Sequence, residues 1–135
     1  MDGGIGKYSS GKAGYSTLFR SSGTWKIAVS NAPAREEVHS ISRHFQTDES
    51  FILLEGGGYL ITAEVSEDGI TFHAERLERN TVYNIPPSVW HAHMWDAGTK
   101  VLIVEDSDTG STNSEERELT EEEECELLSM VGATE

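Results

Sequence analysis

The sequence predicts a single all-β domain that is followed by a short acidic helix. A chain of 135 residues has room for one hydrophobic core. Its apolar residues come in strand-length groups, either at every second position or in runs of four or five. Turn signals rich in glycine and proline separate these groups at intervals of roughly ten residues, and no helical periodicity intervenes. The pattern is therefore typical of an antiparallel sandwich or barrel.

The predicted strands follow one another from residue 16 to residue 110, which we take as the β-domain. In chain order they contain the segments YSTLF, WKIAV, FILLE, YLITAEV, ITFHAERLE, TVYNI and KVLIVE. Residues 1–15 are rich in glycine and serine with little apolar periodicity, so we expect a flexible lead-in there.

Residues 111–135 predict an acidic C-terminal tail or a short helix. Thr120 precedes Glu123 by three residues, which is the spacing of a capping box, and carboxylates crowd the first predicted turn. The apolar edge of this helix would consist of Leu127, Leu128 and Val131. Two interpretations stay open: a solvated tail that aids solubility, or a docking site for a basic partner.

The charge distribution argues against nucleic acids and anionic membranes as partners. The formal net charge is −14, and residues 105–135 hold twelve carboxylates against Arg117 alone. Binding to a phosphate backbone draws on lysine and arginine, which are scarce here. We therefore expect no nucleic acid and no membrane as partner.

Cysteine usage and hydropathy predict a cytoplasmic protein. Cys125 is the only cysteine, so no internal disulfide can form. The N-terminus does not resemble a signal segment. The longest apolar runs, such as FILL and VLIV, are far shorter than the roughly 20 residues that a membrane-spanning helix needs.

Two segments about forty residues apart carry the candidate site. The first, SRHFQTDESFILLEGG, contains His44 and Glu49. The second, NIPPSVWHAHMW, contains His91 and His93. Side chains alternate along a strand, so one face of each segment gathers polar groups. These shared faces are Ser42, His44 and Gln46 on the earlier segment, and His91, His93 and Trp95 on the later one.

The residue types favour a transition metal if the two faces meet. Imidazoles together with one carboxylate suit Fe, Mn, Ni, Cu or Zn far better than Ca or Mg. His44, Glu49, His91 and His93 are the candidate ligands. Ser42, Gln46 and Trp95 are the candidate pocket residues, whereas Trp90 falls on the opposite face. The alternative is a set of interior polar groups that satisfy one another around water or an organic ligand.

The two segments together resemble the two-part motif of the cupin superfamily. His44, Glu49 and Gly56 have the spacing of its first half, and Pro86 and His91 have that of its second half. The resemblance, to small RmlC-like cupins, implies a double-stranded β-helix, which is a jelly-roll barrel. It also implies metal ligands at His44, Glu49 and His91, and a homodimer in which YSTLF or WKIAV extends a neighbour's sheet.

The sequence departs from the cupin motif at four positions. Ser42 stands where the first metal-binding histidine is expected, and Trp95 stands at the motif's final asparagine. Asn80 and Ser88 replace two glycines on either side of the prolines. Because a hydroxyl is a poor metal ligand, His93 is our candidate for a fourth ligand or for a hydrogen-bond donor beside the metal.

Three functional hypotheses follow, and the sequence leaves open whether the protein is an enzyme. The first is a cupin that binds a small polar molecule in its barrel at a divalent metal. The second is a metal-free isomerase or epimerase of sugars, or a carbohydrate-binding protein. The third is a non-enzymatic regulatory protein whose acidic tail docks elsewhere. Fold alone does not choose among them.

Overall fold

The computed structural model describes residues 3–132 and confirms an all-β fold with a short C-terminal helix. Its strands are β1 (Gly14–Arg20), β2 (Trp25–Ala32), β3 (Ser40–His44), β4 (Glu49–Glu55), β5 (Gly58–Ser66), β6 (Gly69–Arg76), β7 (Val82–Ile85), β8 (Trp90–Trp95), β9 (Thr99–Asp106) and β10 (Ser114–Glu118). A 3-10 turn spans Ser111–Asn113, and helix α1 spans Glu121–Gly132.

The strands form two five-stranded antiparallel sheets. The first sheet has the order β1-β2-β9-β4-β7, and the second has the order β10-β3-β8-β5-β6. Neighbours in a sheet are often far apart in the chain: β4 lies between β9 and β7, and β8 lies between β3 and β5. This interleaving brings together the two segments that the sequence analysis singled out.

The main core lies between the two sheets. Phe51 and Ile103 reach it from the first sheet, and Leu60 and Trp95 reach it from the second. Trp95 is fully buried, packs edge-on against Phe51 and donates its indole N–H to the Ser30 hydroxyl at 3.2 Å. Because Trp and Ser are both buried, this bond satisfies a polar group that would otherwise be costly.

A second core lies on the outer face of the second sheet, under helix α1. Ile61 of β5 and Met94 of β8 belong to it, together with Leu127 and Val131 of the helix. Leu127 and Val131 are spaced four residues apart, so they share one helix face. Leu128 is 54% exposed, so the predicted apolar edge is formed by two residues rather than three.

The start of helix α1 has the predicted capping box. The Glu123 N–H donates to the Thr120 hydroxyl at 3.2 Å, and the Thr120 N–H donates to the Glu123 carboxylate at 2.9 Å. Arg117 binds the same carboxylate through both of its terminal nitrogens. Within residues 3–132, no helix is long and apolar enough to cross a membrane.

Strand β10 is an element that the sequence analysis did not predict. It pairs with β3 at the edge of the second sheet, with Ser114 opposite His44 and Glu118 opposite Ser40. Its sequence, SEERE, is polar and rich in glutamate, which is depleted in strands, so local propensity gives no strand signal. The acidic segment is therefore part of the folded domain from Ser114 to Gly132.

Removing the Leu127 side chain should detach the helix. We expect Leu127→Ala to lower the free energy of unfolding by about 2–4 kcal/mol, because a buried leucine leaves a cavity. Leu128→Ala, one residue away and exposed, should change it by less than about 0.5 kcal/mol. Urea unfolding measures both, and equal effects of the two substitutions would contradict this packing.

Candidate metal centre

The candidate site forms where the chain crosses from one sheet to the other. His44 is the last residue of β3 in the second sheet, and Glu49 is the first residue of β4 in the first sheet. His91 lies on β8, the neighbour of β3, where its partner across the ladder is Ser42. The short connection between β3 and β4 thus brings a carboxylate to face two imidazoles.

The three side chains converge on one carboxylate oxygen. Glu49 Oε1 lies 2.9 Å from His91 Nε2 and 3.3 Å from His44 Nε2. One ligand atom of each residue lies within 4.8 Å of the others, and among the described residues this is the one such cluster that could hold a metal ion. Glu49 is 7% exposed and so is His91. The structure therefore brings together three of the four predicted ligands.

The second ring nitrogen of each histidine is already engaged. His91 Nδ1 lies 3.0 Å from the Val89 carbonyl, which can only accept, so this nitrogen carries a proton. His44 Nδ1 lies 2.7 Å from the Ser114 hydroxyl on β10. The two imidazoles pack edge-on with their centroids 5.1 Å apart. Both rings are therefore oriented with Nε2 toward Glu49.

Two loop positions near the site adopt a left-handed backbone conformation. Among the described residues, Asn80 and Ser88 are the two non-glycine positions with positive φ, at 62° and 68°. These are the positions where the motif has glycine, which adopts such angles without strain. The Ser88 N–H donates to the His44 carbonyl at 2.7 Å. The loop before β8 is thereby bonded to the end of β3.

The carboxylate and His91 form an ion pair in the metal-free protein. Burial acts to raise the pKa of Glu49, but hydrogen bonds with His44 and His91 outweigh it and hold that pKa well below its usual range. Burial acts to lower the pKa of His91. The hydrogen bond to Glu49, the negative charge of Glu49 and the hydrogen bond to the Val89 carbonyl outweigh burial and raise that pKa above its usual value. A negative Glu49 beside a protonated His91 is therefore favoured.

The site opens into a cavity with two lobes. The larger lobe has a volume of about 580 Å³ and the smaller lobe about 390 Å³. Four residues line both lobes, namely Tyr15, Ser42, His44 and Glu49, so the lobes adjoin at the site. His91 and His93 line the smaller lobe.

The structure separates the other predicted site residues from the cluster. Ser42 lines both lobes, whereas Gln46 is exposed beyond the end of β3. His93 does not join the three ligands: its Nδ1 lies 2.7 Å from Glu36 Oε1, and its ring stacks on Trp95 at 4.4 Å. Trp95 itself belongs to the core rather than to the cavity wall.

Sequence reasoning missed three polar residues beside the cluster. Lys26 and Glu105 face each other across β2 and β9, with Lys26 Nζ 3.5 Å from Glu105 Oε1. The Tyr15 hydroxyl donates to the same oxygen at 2.6 Å. Both charged side chains are only 5% exposed. Burial and the neighbouring carboxylate raise the pKa of Tyr15 well above its usual value.

A signal for these residues was present in the alternation. Lys26 shares a strand face with the core residues Ala28 and Ala32, and Glu105 shares one with Val101 and Ile103. A charged residue in phase with an apolar stripe points inward. Both residues lie next to the ends of their strands, beyond the apolar positions. In the sequence they are therefore easily taken for solvent-exposed residues at a strand end.

Comparison with known proteins shows a cupin-like fold. The Streptomyces protein PAC13, solved with uridine, matches with a TM-score of 0.58 at 10% identity, over 87% of this chain and 95% of PAC13. A second structure of Pac13, described as a nucleoside dehydratase, gives 0.59 at 9% identity over 87% and 95%. These neighbours are cupin-like β-barrels.

A third neighbour extends the same likeness to part of a larger protein. CapF, a capsular polysaccharide assembling protein from Staphylococcus aureus, gives a TM-score of 0.56 at 13% identity, over 79% of this chain and 30% of CapF. No protein-family model matches the sequence, and no curated protein matches it either. The likeness therefore establishes the fold, and the chemistry has to be argued from this chain's own residues.

The ion pair predicts a pH-dependent stability in the chelator-treated protein. Because folding raises the pKa of His91, its contribution is complete below the ordinary value of 6.5 and is lost as the pH rises through the folded value. Folding lowers the pKa of Glu49, so its contribution is present above 4.5 and is lost in acid. We expect the stability advantage of the natural protein over His91→Gln to shrink as the pH rises from about 6 to 9.

Urea unfolding at several pH values measures this difference. His73→Gln, at an exposed position on β6, is the matched control and should show no such trend. An advantage over His91→Gln that does not vary with pH would contradict the ion pair.

Proposed function

We propose that the protein binds a divalent transition metal at His44, Glu49 and His91, and a small polar molecule in the adjoining cavity. The observation that carries this proposal is the convergence of two Nε2 atoms and one carboxylate oxygen, with each Nδ1 already bonded elsewhere. Metal-binding histidines generally donate their other ring N–H to a carbonyl, a carboxylate or water in this way. The donor set suits Fe, Mn, Ni, Cu or Zn.

The two distances from Glu49 Oε1 also fit a shared ion. Two donors at about 2.1 Å from one metal lie about 3.0 to 3.4 Å apart when the angle between their bonds is about 90° to 109°. Glu49 Oε1 lies 2.9 Å and 3.3 Å from the two nitrogens. In this proposal the metal replaces the proton that His91 shares with Glu49, and the three ligand atoms, which lie within 4.8 Å of one another, draw together around the ion.

Three protein ligands leave coordination positions for water or for a bound molecule. When bound, such a metal supplies Lewis acidity or activates oxygen. Ser42, Tyr15 and Ser114 place hydroxyl groups in the wall of the larger lobe, where they can bind and orient a polar ligand. Whether a reaction follows depends on that ligand.

A metal-free pocket for sugars or nucleosides is the second candidate. Ser42 replaces the first motif histidine, and Glu49 Oε1 lies within hydrogen-bonding distance of both His44 and His91. The PAC13 structures hold uridine, which makes a nucleoside or sugar the first ligand class to test under this alternative. A protonated His91 beside an ionised carboxylate could then serve as a general acid.

The third hypothesis, a regulatory protein whose acidic tail docks elsewhere, cannot be tested by deleting the acidic segment. Strand β10 pairs with β3, and helix α1 buries Leu127 and Val131. Removing residues 112–135 would therefore unfold part of the domain and could not separate docking from binding. Charge reversal on the exposed side of α1 is the cleaner probe, because it leaves both buried leucine and valine contacts intact.

Metal content measures the proposal directly. Elemental analysis of protein purified without chelator or nickel resin should give close to one equivalent of a transition metal. His44→Ala and His91→Ala should lose it, because each removes one of three ligands. His39→Ala is the matched control, since His39 is an exposed histidine paired with Glu37 and Glu124.

Ser114→Ala separates orientation from ligation. It keeps all three ligands but removes the bond to His44 Nδ1, so metal affinity should fall by about 10- to 100-fold. Ser114→Thr keeps the hydroxyl and should restore most of the affinity. A chain that takes up no Fe, Mn, Ni, Cu or Zn would remove the metal proposal and favour the metal-free pocket.

We also propose a homodimer that forms through β1. Strand β1 is an edge of the first sheet, whereas β2 is paired on both sides and is not free to extend a neighbour's sheet. Tyr8, Phe19 and Trp25 form an aromatic cluster at this edge, and Trp25 is 45% exposed. Light scattering should give twice the chain mass of 14.9 kDa. A mass of one chain would contradict the dimer.

A cytoplasmic setting remains part of the proposal. It rests on the single cysteine, Cys125, which is exposed and carries a free thiol. Reducing compartments keep such thiols free.

A further inference from the structure

The candidate metal ligand Glu49 is the last member of a row of charged side chains across the first sheet. Lys26 on β2 lies directly opposite Glu105 on β9, and Glu105 lies directly opposite Glu49 on β4. All three residues are buried, and all three line the larger lobe of the cavity. Two strands away from the candidate metal, the wall therefore carries a buried ammonium group.

The Lys26 ammonium is held loosely by its protein partners. Its nitrogen lies 3.5 Å from Glu105 Oε1 and 3.5 Å from the Thr109 carbonyl, both at the long limit of a hydrogen bond. The Tyr15 hydroxyl takes the same Glu105 oxygen at 2.6 Å. Because an ammonium has three N–H donors, Lys26 retains the capacity to bind an acceptor within the lobe.

The charges of the wall favour a negative charge on the ligand. With a divalent metal bound, both imidazoles neutral and both carboxylates ionised, the metal and Lys26 exceed Glu49 and Glu105 by one positive charge. Burial and the charge of Glu49 raise the pKa of Glu105, and a proton on Glu105 adds to this excess. Lys26 is the one lysine or arginine among the described residues that line either lobe. A buried excess charge is stabilised by an opposite charge placed beside it.

Two exposed carboxylates in the wall of the larger lobe disfavour ligands of higher negative charge. Glu115 and Glu116 of β10 also line the larger lobe, and both are exposed. Arg43 pairs with Glu115 at 2.7 Å, which leaves the charge of Glu116 at this wall. A dianionic phosphate would be repelled by this carboxylate more strongly than a monoanionic carboxylate would be.

We propose that the larger lobe binds the carboxylate of a small organic acid, that Lys26 is the residue that recognises it, and that the rest of the molecule extends toward the metal. This inference rests on the proposed function, because the metal supplies the excess positive charge. Tyr15 and Glu105 act as positioning residues: Tyr15 holds Glu105, and Glu105 holds Lys26 at the wall.

Acetate is the probe, and nuclear magnetic resonance of the full-length protein loaded with Zn²⁺ is the measurement. Acetate should shift the amide signals of Lys26, Glu105 and Gly110. Acetamide, which has the same shape without the charge, should bind at least about tenfold more weakly, because hydrogen bonds to charged groups are the stronger ones. Inorganic phosphate should bind no more tightly than acetate.

Two variants show whether Lys26 is responsible. Lys26→Met should weaken acetate binding at least about tenfold. Because this variant leaves the Glu105 carboxylate buried without its cationic partner, Lys26→Met/Glu105→Gln removes both charges and should lose acetate binding to the same extent. Lys100→Met, on β9 but outside both lobes, is the control and should bind acetate as the natural protein does.

The possible failures are distinguishable. If Zn²⁺ does not bind, the metal proposal fails and the wall has no excess positive charge. The same acetate titration of the metal-free protein then tests the remaining N–H donors of Lys26 alone: an acetate shift at Lys26 that the double variant loses would support the Lys26 subsite without the metal. Acetate binding that survives in the double variant, acetamide binding as tight as acetate, or no shift at Lys26 in either form would overturn the proposed carboxylate subsite.

Discussion

The arrangement of the site depends on one constraint, the burial of the Glu49 carboxylate. An ionised carboxylate is costly away from water unless charged or hydrogen-bonding partners surround it. Here His91 and His44 supply those partners at 2.9 Å and 3.3 Å. The Val89 carbonyl and the Ser114 hydroxyl in turn orient the two rings through hydrogen bonds to their Nδ1 atoms. Each of these contacts comes from a different part of the chain.

The two-sheet architecture meets this constraint because its strands are interleaved. Glu49 stands on the first sheet, and both histidines stand on neighbouring strands of the second sheet. The last strand, β10, adds Ser114 from a segment whose composition reads as a solvated tail. A site assembled in this way spans most of the domain, so its geometry follows from the packing of both sheets. Rigid support of this kind is what precise binding sites require.

The sequence predicted the parts of this protein that depend on local pattern. Alternating apolar residues predicted the strands, and the spacing of Thr120 and Glu123 predicted the helix cap that the structure contains. The motif spacing predicted that His44, Glu49 and His91 would meet. These features depend on residues close in sequence, or on a spacing that the resemblance already linked to a fold.

The features that were missed depend on pairing between distant strands. Lys26 and Glu105 are 79 positions apart, and only the register of β2 against β9 places them side by side. His93 shares a strand face with His91 as predicted, but its ring is hydrogen-bonded to Glu36, which lies on the loop before β3. Strand β10 forms because β3 offers a free edge, not because its own residues favour a strand. None of these partners can be read from a single segment.

The fold comparisons leave the chemistry to the residues of this chain, because the neighbours share 9–13% identity with it. The most direct test is a crystal structure of the full chain soaked in Co²⁺, with diffraction data collected at the cobalt absorption edge. The account predicts one anomalous peak bonded to His44 Nε2, His91 Nε2 and a Glu49 oxygen. An intact Glu49–His91 hydrogen bond with no peak there, or a peak at other residues, would contradict it.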